Sequence, residues 1–244
     1  IAPHAGYIYS GLTAAHAFKA LLGKQFARVI LLSPSHQPYR QPLLTTSHDA
    51  YSTPLGLVPV DREALARLNE LLKESNGVEL AAVRRDQEHS LEIELPFLQV
   101  TQPNGFWLVP LMMVDQSASM ARLLSAALLK LIQSFPPEES TLLLASSDLS
   151  HFYSERAANR LDGNLADALQ EFDLNAFYQR KQHGEMEACG FAPMATVLQT
   201  SRLLGAEQVT VADYRTSAAV TGDRSSVVGY LSAIISTGKA DLYA

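Results

Sequence analysis

Six consecutive residues, Ser146-Ser147-Asp148-Leu149-Ser150-His151, place three hydroxyls, a carboxylate and an imidazole directly after the apolar run Thr141–Ala145. An apolar run of that length reads as a buried strand. In open α/β sheets, ligands bind just beyond the carboxyl ends of strands. Three further places bring groups of the same kind. His4 lies in a Gly- and aromatic-rich stretch, residues 1–11 (IAPHAGYIYSG). His36 follows the apolar run at 28–32 (RVILL), through Ser33-Pro34-Ser35. Cys189, the one cysteine, stands before Gly190 and the start of a helical pattern. Any one of them alone would be an ordinary surface histidine or a buried small thiol. Four loops that each bring a metal-competent group, two directly after strands, point to a metal site. A thiolate with imidazoles suits Fe(II), Zn(II) or Cu(I).

The elements that must position these groups alternate along the chain. Helices are expected at 11–22, from Asp61 as N-cap to about Glu74, at 116–134, at 155–172, from Asp173, and from Cys189-Gly190 to about Leu204. Gly23 is expected to close the first of these and Asn76-Gly77 the second. Strands are expected at 28–32, 43–46, 106–111, 141–145, 208–214 and 227–235, with a turn at Thr53-Pro54-Leu55-Gly56. The stretch 84–99 (RRDQEHSLEIELPFLQ) is ambiguous. Leu91, Ile93 and Leu95 alternate with glutamates as in a strand, yet a helix over 90–98, strained by Pro96, is the preferred reading. Alternating strands and helices predict an α/β fold with a mostly parallel central sheet covered on both faces. No repeat or linker divides the chain, so residues 1–244 form a single expected domain. The chain opens inside a motif without an initiator Met, and a segment upstream, including a strand leading into Ile1, is expected.

Composition narrows the function classes. The chain has 244 residues, 47% hydrophobic and 18% charged, with a net charge of −6. That balance argues against nucleic acid, whose phosphates call for clustered Lys and Arg. No apolar run approaches the ~20 residues of a membrane span. A single cysteine excludes an internal disulfide and fits a reducing, cytoplasmic setting. There is no G-x-S-x-G elbow for a serine hydrolase, and no phosphate-binding or dinucleotide fingerprint. His16, within the first helix, is expected to pack or face solvent, and His48 and His183 to be solvated.

Seven blocks in order, IAPHAGYIYSG, SPSH, YSTPLG, EHSLEIELPF, SSDLSHF, CGF and SSVVGY, together resemble the MEMO family, the B component of the AmmeMemoRadiSam system. That family is similar in fold to the LigB-type class III extradiol dioxygenases, which are non-haem iron enzymes. The resemblance implies a three-layer α/β/α sandwich. It also implies metal ligands at His4, His36 and Cys189, with Asp148 and His151 beside them as catalytic groups. Three protein ligands leave a coordination position open. Asp148 is expected to orient an imidazole or to add a weak ligand, and His151 to act as general acid/base. A helix start beside Cys189, together with the metal, is expected to favour its thiolate. Glu88, His89 and Tyr7 are expected along the pocket wall, with Ser147 holding its loop by hydrogen bonds.

Three functions compete. One is a metal-dependent redox protein, with iron as cofactor and a small substrate; against a working extradiol dioxygenase, the third donor here is a thiolate, not a carboxylate. The second is a zinc-dependent hydrolase, with His151 or Asp148 as base. The third is a non-catalytic module that binds a peptide or protein, a radical-SAM protein being the partner that the resemblance implies.

Overall fold

A computed structural model describes residues 1–85 and 87–238. Asp86, within the ambiguous 84–99 stretch, and residues 239–244 of the expected single domain lie outside the described residues. In chain order the elements are α1 (Tyr7–Lys19), β1 (Arg28–Pro34), β2 (Leu43–Thr46), β3 (Ala50–Thr53), β4 (Gly56–Pro59), α2 (Arg62–Asn76), β5 (Ala81–Val83), a 3-10 turn at Glu92–Glu94, α3 (Leu95–Thr101), β6 (Trp107–Met113), α4 (Ala118–Gln133), β7 (Thr141–Ala145), β8 (His151–Tyr153), α5 (Glu155–Glu171), α6 (Leu174–Gln182), α7 (Phe191–Leu203), β9 (Gln208–Thr216), α8 (Ala218–Thr221) and β10 (Val227–Ser236).

The central sheet has the order β5-β2-β6-β1-β7. β1 runs parallel to both β6 and β7, and β2 parallel to β5; only the β2–β6 pair is antiparallel. Val29 to Leu32 of β1 are all fully buried. That is why β1 reads as an unbroken apolar run: both of its faces are covered. α2, α4 and α7 pack together, with α7 on β1 and β7 and α2 on β6. The α/β fold with a mostly parallel sheet is therefore as expected.

Two caps are where the side chains demand them. Asp61 accepts the N–H of Ala64 at 2.8 Å, and Gly77 closes α2 in the left-handed region at φ 66°. Both satisfy backbone groups that a helix end leaves unpaired.

The second sheet was not expected as such. β9 and β10 form an antiparallel ribbon, with short β8 on the other side of β10. Two helices cover its opposite faces. Asp213 accepts from Thr13 of α1 at 2.7 Å, while the hydroxyl of its neighbour Tyr214 lies within hydrogen-bond distance of Asn159 and Asp162 of α5. Successive strand residues point to opposite faces, so α1 and α5 lie on either side. Ile1 and Ala2 stitch the two sheets together. Ala2 donates to Ala145 O at 3.0 Å and accepts from Ser147 N at 2.9 Å. Ile1 donates to Ala233 O at 2.9 Å and accepts from Ala233 N at 3.1 Å.

Two boundaries differ from expectation for local reasons. α1 begins at Tyr7, one turn before Gly11, with Gly6 as its N-cap, so the second half of the 1–11 stretch is helix. It closes at Ala20, and Gly23 takes a separate turn at φ 74°. In the ambiguous stretch, the single helix over 90–98 is replaced by the 3-10 turn and then α3. Pro96 lies in the first turn of α3, where its missing N–H costs no hydrogen bond. It therefore starts a helix and does not strain one.

Candidate metal centre

β1 and β7 end side by side at the carboxyl edge of the parallel sheet, and the Ile1–Ala2 bridge runs along β7 to deliver His4 to the same edge. His36 comes two residues after β1, the 146–151 stretch directly after β7, and Cys189 two residues before α7. Nitrogen and sulfur atoms of His4, His36 and Cys189 all lie within 4.8 Å of one another. His36, Glu88 and His89 form a second such group, sharing His36. The His4 and His36 rings meet edge to face at 5.4 Å, and His89 stacks on His36 at 5.3 Å.

Each ligand candidate is held by a specific partner. The Nδ1 of His4 is 2.8 Å from Ser146 Oγ, and its Nε2 is 3.2 Å from Cys189 Sγ. His4 is buried, and burial, followed by the neighbouring His36 and His89 rings, pulls its pKa down to about 3. It is neutral across the physiological range, as a metal-binding imidazole must be. His36 is held by Glu88, whose Oε1 lies 2.8 Å from Nδ1 while Oε2 accepts the His36 backbone N–H. The hydrogen bond to Glu88 raises the His36 pKa against the effect of burial. Burial alone would push the Glu88 carboxyl up, but hydrogen bonds from the His36 ring and backbone and from Ser90 hold it down to about 2. Both imidazoles therefore have Nδ1 engaged by a second residue, with Nε2 of His4 turned to the Cys189 sulfur. That is the usual support of a metal-ligating histidine.

Without a metal, Cys189 is held as a thiol. Its sulfur accepts the Asp148 N–H at 3.2 Å, but burial, and then the Asp148 carboxylate, push the thiol up to about 12. Gly190, not Cys189, is the N-cap of α7. A thiolate here requires a cation beside it. Gly190 is required by crowding: a Cβ there would come within 2.5 Å of Ser146 O and 2.7 Å of Ser147 Cβ. Ser147 Oγ accepts the Gly190 N–H at 2.9 Å and donates to Asp148 O at 2.8 Å, so it holds the Cys189 turn as expected of a loop serine.

Asp148 does not orient an imidazole. Its Oδ1 accepts the backbone N–H groups of His4 at 2.8 Å and Ala5 at 3.3 Å, so it fixes the loop that carries the ring. Burial raises its pKa to about 6, partly offset by those bonds. The imidazole-orienting roles belong to Ser146 and Glu88. His151 opens β8, and its Nδ1 lies 2.8 Å from Leu149 O. A carbonyl only accepts, so Nδ1 carries the hydrogen and Nε2 is free. Phe152, next in sequence, is 77% exposed with φ 64°, an unusual backbone for a bulky residue.

His89 is exposed, at the mouth of the cluster. Tyr7 stands apart from the ligands. Its hydroxyl donates to Ile93 O at 3.0 Å and its ring meets Phe97 along an apolar groove between α1 and α3. His48 and His183 are solvated side chains on hydrogen bonds or ion pairs of their own, and His16 faces Asp213 at 3.9 Å. Glu94 is the residue that sequence reasoning missed. It is fully buried and bonds Ser146 at 2.7 Å.

The fold and this cluster define an α/β protein with one thiol and two imidazoles gathered at the carboxyl edge of its parallel sheet. The family model described as Memo-like protein matches residues 1–234. A MEMO1 family protein of Nitrosopumilus maritimus is 36% identical over 230 residues, covering 94% of this chain and 81% of that protein. Those of Thermotoga maritima and Methanococcoides burtonii are each 34% identical, over 236 and 235 residues, covering 96% of this chain and 81% and 85% of theirs. The chain belongs to the Memo-like family, in agreement with the resemblance carried by its seven motifs. Among the described residues no helix is long and apolar enough to cross a membrane.

Proposed function

We propose that His4, His36 and Cys189 hold a single ferrous ion and that the cleft above it carries out a metal-dependent redox reaction on a small substrate. One observation carries the metal reading. Three donors from segments far apart in sequence lie within 4.8 Å, and the two imidazoles each have Nδ1 tied to a separate partner. Two nitrogens and one sulfur are a donor set for borderline ions such as Fe(II) and Zn(II), and for Cu(I).

When bound, iron would supply a redox-active Lewis acid with coordination positions left open. The protein's own residues do the rest. Ser146 and Glu88 aim the two rings. Asp148 holds the His4 loop by its backbone. His151, with Nε2 free, can take a proton from a substrate atom or return one. The test is metal analysis of anaerobically purified protein, with anomalous scattering to place the ion. Stoichiometric iron is expected. Stoichiometric zinc that iron cannot displace would overturn the redox reading in favour of a hydrolase.

A second reading is favoured by Phe152, an exposed aromatic beside His151. In it the cleft recognises an apolar segment of a peptide or of a radical-SAM partner without turning it over. Partner binding that survives His4→Ala and Cys189→Ser would support this reading and show that it needs no metal.

A further inference from the structure

Ser146 Oγ has three polar partners: Ser90 O at 2.6 Å, Glu94 Oε1 at 2.7 Å and His4 Nδ1 at 2.8 Å. A hydroxyl has one hydrogen to give and two lone pairs to receive. Ser90 O is a backbone carbonyl and can only accept, so the Ser146 hydrogen goes there. Both other partners must then donate. Glu94 can donate only as a carboxylic acid, and His4 only with its hydrogen on Nδ1. If Glu94 were ionised it would compete with Ser90 O for one hydrogen, and His4 Nδ1 would still have to be the donor.

A second observation agrees. Glu94 is fully buried, and its Oε2 has no hydrogen-bond partner among the described residues. An ionised carboxylate would leave a bare charged oxygen in the interior, whereas a neutral acid leaves only a carbonyl oxygen. Burial is also the largest influence on this group, pushing it up to about 8 against the pull of Ser146. On the far side of the ring, His4 Nε2 faces Cys189 Sγ at 3.2 Å, as an acceptor of the thiol hydrogen would.

We propose that Glu94, buried behind Ser146, is a neutral carboxylic acid and the positioning residue for His4, acting through Ser146. The acid O–H fills one lone pair of Ser146 and the His4 Nδ1–H fills the other. The ring is thereby fixed in the tautomer whose bare Nε2 points at Cys189. A charged group is not needed for this, only a donor at position 94. The consequence for metal binding rests on the metal reading above; the protonation state and the tautomer do not.

The test has two arms. On metal-free wild-type protein at neutral pH, infrared difference spectra against Glu94→Gln should contain a protonated-acid carbonyl band that shifts in D2O. Nitrogen-15 spectra of the labelled His4 ring should place the hydrogen on Nδ1. Absence of that band, or a hydrogen on Nε2, overturns the proposal. In the second arm, cobalt(II) is titrated into wild type, Glu94→Gln and Glu94→Leu, with the thiolate charge-transfer band as readout. The Gln amide can donate in place of the acid, so its affinity should stay near wild type. Leu should weaken binding roughly 10- to 100-fold, as loss of such supporting bonds does. Wild-type affinity in a folded Glu94→Leu overturns the positioning role. If cobalt fails to bind wild type, the metal reading fails, while the infrared and nitrogen spectra still decide the acid and the tautomer.

Discussion

Glu88 grips His36 at two points, its Oε1 on the ring Nδ1 at 2.8 Å and its Oε2 on the backbone N–H. One buried carboxylate thus sets both where the residue sits and which way its ring turns. His36→Ala should abolish metal binding. Glu88→Gln should keep the ion but weaken it roughly 10- to 100-fold, because the ring loses a charged anchor. Calorimetric titration with cobalt(II) distinguishes the two, and equal affinities for wild type and Glu88→Gln would remove the anchoring role.

On the proposed function, His151 would separate metal binding from chemistry. Its Nδ1 is used on Leu149 O and it is not within the ligand group. His151→Ala should leave metal content unchanged while turnover of any substrate found falls by a factor on the order of 10² or more, the usual worth of an acid–base group. Loss of metal in this variant would make it a ligand instead.

Metal affinity should rise with pH, and the sign follows from two groups. Cys189, pushed up to about 12, must give up its proton to bind, so each ion taken up releases one. His36, raised by Glu88, becomes protonated as pH falls, and below its titration a second proton must leave. His4, lowered to about 3, contributes none near neutrality. Calorimetry in buffers of different ionisation enthalpy counts the protons: one at high pH, approaching two at low pH.

Gly190→Ala should destabilise the protein by about 1–3 kcal/mol or more, the range for overpacking a tight interior. The new Cβ meets backbone at 2.5 Å, and backbone cannot swing away as a flexible side chain can. Denaturant unfolding measures this. Metal affinity should fall as well, since relief of the clash moves Cys189.

Phe152→Gly should stabilise the fold. A non-glycine residue in the left-handed region costs about 1–2 kcal/mol, and at 77% exposure little burial is lost in return. Part of that gain is offset by the greater freedom of glycine in the unfolded chain. A higher melting temperature together with weaker binding of apolar or peptide ligands would identify Phe152 as strain kept for recognition.

Much of this was legible in the sequence, because strand-end logic is robust. The apolar runs before His36 and Ser146 could only be buried strands, and their polar endings could only collect at one edge of a parallel sheet. What stayed hidden depended on contacts between distant segments. Glu94 alternates with Leu and Ile, so it resembles a solvent-facing charge; only the docking of Ser146 shows that it is buried. The target of Asp148 is a backbone N–H, which no side-chain pattern announces. The rise in the Cys189 pKa comes from desolvation, a property of the whole surrounding fold. The early start of α1 was obscured by two glycines that in this context cap and pack the helix without breaking it.

The stitch made by Ile1 and Ala2 bears on the order in which the molecule assembles. Its partners are Ala145, Ser147 and Ala233, contacts that span most of the chain. Closing loops of that size costs entropy before any bond repays it, and such pairings form slowly. The His4–His36–Cys189 cluster depends on this junction, since it sets His4 beside Cys189. The central sheet and its helices can therefore collapse first, leaving the ligand cluster to mature as a late event. A ligand-detected refolding phase slower than the recovery of secondary structure would be its kinetic signature.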